Sequence, residues 1–485
     1  MKFTQFNKDF WKKPGFVLFL ILFSFFLREV FLASVFPIFS GQDEARHYNS
    51  IQYLAEPKEK TWEIAENKDS RSKKDFSTYN FSEEIQNTGN ASGVSDTRKT
   101  YDRMNFPAGS VGENENLITS KIWSRNNLNS PPDIVKGSLY HALNTPIEKL
   151  FGNESILIRF YLIRIFSILL GVLFILFSYF IFKNSGFSTK HSLIISAIIS
   201  FQPKLSSYLT NINYDALQIL MFSIFTLGGI LFLKNGLRWK NALLILISLI
   251  TGMITKGTSV IMMPLLIALL GFTVWKKVRE KKINRNYLIS ALALSFVAIA
   301  FFSWNYNIKN FLPKTEHGTI SEITASLSEY LSKSLPKIDS SAKNYWGNLD
   351  WNRNDYSEVF IRVIWLVEFF SVIGVIWLLF SKKSLPFLPE KKYVWFFLGM
   401  IAALQFGIRF YDWKIFSILG TLDLGTPGRY FLPTITSHMA LVFAGLGMVL
   451  RKEKYFNVAL LSFLLLMFSF SMYLTFDVIV PRFYL

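Results

Sequence analysis

Residues 14–36 read PGFVLFLILFSFFLREVFLASVF, a run long enough to cross a hydrocarbon core of ~30 Å, which takes ~20 helical residues. Over 15–26 it is apolar on nearly every side, so its faces match lipid rather than the one-sided core contact of a soluble helix. It ends in Val35-Phe36-Pro37 instead of a small-residue cleavage site, which predicts a retained first span. The acidic pair Asp43-Glu44 follows shortly after it.

Similar blocks recur along the chain, at 157–182, 189–205, 215–233, 241–255, 258–275, 287–306, 359–380, 393–410, 429–450 and 455–476. The fold class is therefore an all-α polytopic membrane protein of about eleven transmembrane helices. Composition agrees, with 51% hydrophobic and 17% aromatic residues against 18% charged in 485. A net charge of +18 could suggest nucleic acid, but the basic residues sit in short clusters between apolar blocks. The lipid bilayer is the partner they fit. With no cysteine, disulfide and thiolate chemistry are excluded.

An alternating path from a cytoplasmic N-terminus can be checked against loop charge. The loops it places inside hold 18 basic residues and three acidic ones, Glu280, Glu390 and Glu453. Residues 37–155, placed outside, hold 17 of the chain's 34 acidic residues and 14 basic ones. This asymmetry predicts a multi-pass protein of the inner (cytoplasmic) membrane with both long loops on the extracytoplasmic side. The chain divides into the N-terminus and first helix (1–36), a first outer loop with the acidic motif (37–155), helices two to seven (156–308), a second outer loop (309–358) and helices eight to eleven (359–485). Within the first loop, 58–115 is rich in Asn, Ser, Lys and Glu and predicts a mobile segment, whereas 43–54 and 137–150 carry helical apolar spacing.

Five short segments on the predicted outer side could carry chemistry. If QDEARHY (42–48) is helical, Asp43 and His47 lie one turn apart beside Glu44, a carboxylate and an imidazole able to share a substrate or an ion. A solvated helix start would need the same acidic residues. NYD (213–215) opens a span, where Asn213 or Asp215 could cap the helix or line the same cavity. Lys256 lies in apolar surroundings where the positive-inside bias does not call for it, and a cation so placed implies an anionic partner. Arg429 and Tyr430 begin the tenth span; an Arg suits bidentate phosphate binding or snorkelling to headgroups. YWGNLDW (345–351) offers Tyr345, Trp346 and Trp351 as surfaces for a sugar ring, although interfacial aromatics need no ligand. Zinc-binding His-Glu motifs, a P-loop and dinucleotide turns are absent.

The order of these segments, with TKG and Pro264 at 255–264 and PGRYFLP at 427–433, resembles the membrane-embedded glycosyltransferases of the GT-C class, most closely the bacterial DUF2142 family. The resemblance implies a GT-C-like bundle, a polyprenyl-phosphate-linked sugar as donor, a cavity facing away from the cytoplasm, and an acidic residue of the first outer loop as catalytic base. Carried over by position, Asp43 is the base with Glu44 as its catalytic neighbour, and Lys256 and Arg429 hold the donor phosphate. His47, Asn213, Asp215, Tyr345, Trp346, Trp351 and Tyr430 complete the substrate-binding set. Gln42 and Ala45 depart from the Pro-Asp-Glu-Pro of relatives. Tyr140 and His141, in KGSLYH (136–141), stand where many such enzymes have His-Pro-Pro-Leu-Tyr.

The function so implied is inverting transfer of a sugar to a glycan, lipid or protein acceptor of the cell envelope. No cofactor is required by the residues; a divalent cation, Mg or Mn, on Asp43, Glu44 or His47 is a candidate because hard ions favour carboxylates. Two rivals share the spans and basic loops: a transporter or flippase of lipid-linked saccharide, and a non-catalytic membrane component of a polysaccharide assembly system. Transport predicts repeated halves or paired broken helices, and no repeat is visible in the sequence.

Overall fold

The protein is an all-α polytopic membrane protein. A computed structural model describes residues 13–55, 82, 84–85, 88–89, 137–280, 285–305, 320–347, 357–382, 385–422 and 426–484. The predicted mobile segment and Trp351 fall, apart from the few positions named, outside the described residues.

Helix α1 is Pro14–Val35, and the first outer loop contributes α2, Glu44–Ala55, and α3, Leu139–Leu150. Then follow α4 (Ile156–Ser185), α5 (Thr189–Ser200), α6 (Pro203–Leu209), α7 (Asp215–Asn235) and α8 (Trp239–Thr255). A 3-10 turn, Gly257–Ile261, leads into α9 (Met262–Arg279), after which come α10 (Arg285–Asn305), α11 (Ile320–Ser334) and α12 (Ile338–Trp346). The chain ends with α13 (Glu358–Phe380), α14 (Lys391–Leu419), a 3-10 turn at Gly428–Thr434, α15 (Ile435–Leu450), α16 (Glu453–Tyr473), a π-helical stretch and the short α17 (Val480–Tyr484).

Eight helices among the described residues are long and apolar enough to cross a membrane. The fifth and seventh predicted spans correspond to shorter apolar stretches, Trp239–Thr255 and Ala291–Ser303. The third differs from expectation. Residues 189–205 are not one helix, because Pro203 has no N–H to continue α5 and instead starts α6, with Gln202 capping it through Leu205 N. Elsewhere the ends are set locally: Ser155 and Ser188 cap α4 and α5, and Gly186 ends α4 with φ +119°, a conformation glycine alone adopts freely.

Helices α7 and α15 form the centre, each 83% buried over its apolar window, and the others wrap them with Phe19, Phe23, Leu366, Phe369 and similar side chains turned outward. Such faces suit lipid. Close helix approach depends on small residues: Gly374 of α13 and Gly445 of α15 meet so tightly that a Cβ on either would overlap the other helix's backbone.

Chain direction brings the end of α1, α2, α3, α6, the start of α7, the end of α8 and the Gly428–Thr434 turn to one end of the bundle. A buried ionic network fastens the loop helices there. Arg159 of α4 pairs with Glu148 of α3 and with Glu84, Tyr48 of α2 donates to Glu148 at 2.9 Å, and Gln52 donates to Glu84 at 2.6 Å. Breaking one partner of so buried a pair leaves an uncompensated charge, so α2, α3 and Glu84 are tied to α4.

Candidate active site

The site is built on the turn between α1 and α2. Asp43 has φ +55°, a left-handed conformation that non-glycine residues seldom adopt, and its carbonyl accepts the N–H of His47 at 3.0 Å, starting α2. Its carboxylate lies 3.3 Å from Arg46 and its side chain is 30% exposed. Glu44 is the opposite case. Fully buried, it takes Arg164 Nε at 2.9 Å and Nη2 at 2.8 Å on its two oxygens, with the N–H groups of Ile212 at 2.9 Å and Gly41 at 3.0 Å. Arg164 also donates to the carbonyls of Ala33 and Phe36 at 2.6 Å and of Pro37 at 2.9 Å. One guanidinium thus holds the end of α1, the turn and Glu44 together.

The turn before α7 packs directly on this one. A Cβ on Gly41 would lie 2.6 Å from Asn211 Cγ, so no larger residue fits without displacing one of the two segments. Asn213 Nδ2 reaches the Gln42 carbonyl at 3.4 Å while its Oδ1 accepts from Asp215 N at 2.8 Å in an Asx turn just before α7, whose N-cap position is Tyr214. Tyr208 of α6 donates to Gln42. Lys256, at the end of α8, forms an ion pair with Asp215, the anionic partner that its apolar setting implied. Its ammonium also sits 4.8 Å from the Tyr214 ring centre and 5.1 Å from that of Tyr430.

Arg429 stands at the start of the Gly428–Thr434 turn, its Nη2 3.3 Å from Tyr430 Oη. Tyr430 beside it lies against Lys256, whose ammonium also meets Tyr214, and the Tyr214 ring packs edge-on to His47 with centres 4.5 Å apart, so these groups share one region. Asp43, Asp215, Lys256, Arg429 and Tyr430, drawn from four distant parts of the chain, therefore share one end of the bundle.

His47 and His141 form a buried pair, Nδ1 to Nε2 at 2.9 Å. His141 Nδ1 accepts the Ser138 N–H at 2.9 Å, so its Nε2 carries the proton given to His47 Nδ1, and the His47 hydrogen is on Nε2. Burial, reinforced by the charges of Lys256, Arg46 and Arg429, pushes His47 down to about 3, and burial beside His47 holds His141 well below the usual imidazole range. Both rings are neutral at physiological pH. His141 also closes a capping box with Ser138 at the start of α3. Tyr140 is fully buried with its hydroxyl 2.6 Å from Ser167 Oγ.

Other expected residues lie elsewhere. Tyr345 and Trp346, on α12, border a cavity of about 210 Å³ with Glu368 and His438, across the Gly428–Thr434 turn from Lys256. Nor do Asp43, Glu44 and His47 form an ion site. Arg164 occupies both Glu44 oxygens and His141 the Nδ1 of His47, and among the described residues no three His, Asp or Glu side chains converge. The pairing of Arg164 and the network around Arg159 were not foreseen from sequence. Their signal is the presence of two arginines inside an otherwise apolar span.

Residues 145–304, about a third of the chain, match the family described as dolichyl-phosphate-mannose-protein mannosyltransferase. No curated protein matches. The matched stretch runs from within α3 to the end of α10 and includes Asn213, Asp215 and Lys256. It supports a membrane glycosyltransferase of the GT-C type.

Proposed function

We propose that the protein transfers a sugar from a polyprenyl-phosphate-linked donor to a cell-envelope acceptor at the extracytoplasmic face, with inversion, as a relative of the DUF2142 branch of GT-C enzymes. The observation that carries this reading is the convergence of a partly exposed carboxylate, Asp43, with two cations, Lys256 and Arg429. The family match favours a lipid-phosphate donor, since its description names one.

In this mechanism the acceptor hydroxyl oxygen attacks the anomeric carbon while its proton passes to an Asp43 oxygen. The bond from the anomeric carbon to the phosphate oxygen breaks, and the phosphate leaves with the bonding electrons. Its developing charge is met by Arg429 and by Lys256, which Asp215 and the faces of Tyr214 and Tyr430 hold in place. Arg46 donates to Asp43 at 3.3 Å and orients it before the acceptor arrives. Glu44 and Arg164 act as positioning residues by fixing the turn that presents Asp43. Neutral His47 contributes a hydrogen-bond donor, not a charge, to the region facing Lys256 and Arg429.

The interrupted α5–α6 segment is a feature that a transporter would share, and the partly exposed Asp43 in the region of Lys256 and Arg429 favours bond making over transport. The reading is tested with purified protein and a polyprenyl-phosphate-linked sugar. Asp43→Asn should melt within a few degrees of wild type yet release polyprenyl phosphate at least ~100-fold more slowly, the usual size of a lost general base. Wild-type rates in that variant would remove Asp43 from the chemistry.

A further inference from the structure

The cavity bordered by α12, α13, α14 and α15 contains polar groups that the transfer chemistry does not use. Tyr345 Oη lies 2.9 Å from His438 Nδ1, and His438 Nε2 lies 3.0 Å from Glu368 Oε1. Trp346 Nε1 donates to the same oxygen at 3.2 Å. His438 Nε2 donates to Glu368, so Oε1 is held by two donors. Oε2 has no partner among the described residues. Across the cavity, Gln405 and Arg409 project from the membrane-spanning α14.

Arg409 makes no ion pair among the described residues. Asp412, one turn further on, feels its charge, but that carboxylate accepts the Tyr330 hydroxyl at 3.0 Å and lies beyond ion-pair distance. Toward the outer end of a membrane span an arginine without an ion pair reaches for the headgroup layer, and its guanidinium here opens on a cavity that also holds the Glu368 carboxylate. The roof is firm. Ser341 of α12 donates to the Thr426 carbonyl, Gln202 donates to the Tyr345 carbonyl, and α12 lies so close to Gly428 that a Cβ there would overlap its backbone.

We infer that this cavity is a second binding site, taking a lipid headgroup that carries a phosphate diester and a free hydroxyl. Arg409 and Gln405 bind the phosphate, Glu368 Oε2 accepts the hydroxyl, and Trp346 and Tyr345 wall the head. The site lies back to back with the transfer site, sharing the Gly428–Thr434 turn, whose Arg429 and Tyr430 belong to one and whose Phe431 and Thr434 line the other. It goes beyond the transfer reading and does not depend on it.

The test is native mass spectrometry of the full-length protein in a detergent without a sugar head, titrated with phosphatidylglycerol, phosphatidylmethanol (the same diester without hydroxyls) and inorganic phosphate. Wild type should bind one phosphatidylglycerol that Arg409→Gln weakens by about tenfold or more, with Arg409→Lys intermediate. Glu368→Gln should weaken phosphatidylglycerol several-fold and leave phosphatidylmethanol unchanged, and Arg429→Gln should leave both unchanged. Equal binding in wild type and Arg409→Gln overturns the site. So does loss in Arg429→Gln but not Arg409→Gln, which would put the lipid in the transfer site. Competition by inorganic phosphate as strong as by the lipid would make it a site for free phosphate and overturn the lipid assignment.

Discussion

Asp43 and Glu44 are neighbours in sequence with opposite physical situations. Glu44 has both oxygens occupied and no exposure, whereas the Asp43 carboxylate has, among the described residues, one 3.3 Å contact and an open side. Removing one partner of a buried ion pair costs about 3–5 kcal/mol, because the other charge is stranded. Glu44→Gln should therefore lower the melting temperature in detergent strongly, while Asp43→Asn should not; equal losses would dissolve the distinction. The histidine pair gives a pH dependence of definite sign. In the folded state His47 has its pKa lowered to about 3 from the ordinary 6.5, so the unfolded chain binds the proton first. The neutral pair contributes its stability above about pH 6.5 and loses it as pH falls toward 3. Melting temperature should thus decline on acidification, and His47→Gln should flatten that decline. No change in slope would mean that the ring does not titrate between these limits.

At the scale of elements, apolar runs were legible because lipid admits nothing else, and α1, α4, α7, α9 and α13–α16 fall close to where hydropathy places them. The break at Pro203 was also written in the sequence, but the apolar residues around it masked the stop. What sequence could not supply was pairing. Nothing in the spacing of Glu44 and Arg164, 120 positions apart, announces their contact, nor does YWGNLDW announce that Tyr345 lies beside His438. Lys256 was the easier case, because a lone cation in apolar surroundings demands an anion and Asp215 was among the few candidates. The joint between elements gives another prediction. Gly41→Ala forces a Cβ to within 2.6 Å of Asn211 and should separate the Asp43 turn from the 211–215 turn. Transfer should fall by at least about tenfold, with helix content by circular dichroism unchanged. Full activity would show that the two turns need not touch.

For the whole molecule, the bundle is a scaffold in which two buried helices carry the ends that matter. The start of α7 presents Asp215, and the turn leading into α15 presents Arg429. The small-residue crossing of Gly374 and Gly445 fixes α15 against α13, so Gly445→Leu should prevent the native packing and reduce the yield of monodisperse protein severalfold in size-exclusion chromatography. The central claim is that this scaffold moves a sugar from a lipid phosphate with Asp43 as base. Its most direct test is to delete the protein from its host and measure the pool of polyprenyl-phosphate-linked sugars by mass spectrometry, with the wild-type gene or the Asp43→Asn variant returned. One such donor should accumulate in the deletion, return to normal with wild type and stay high with Asp43→Asn. An unchanged pool in the deletion, or full restoration by Asp43→Asn, would contradict it.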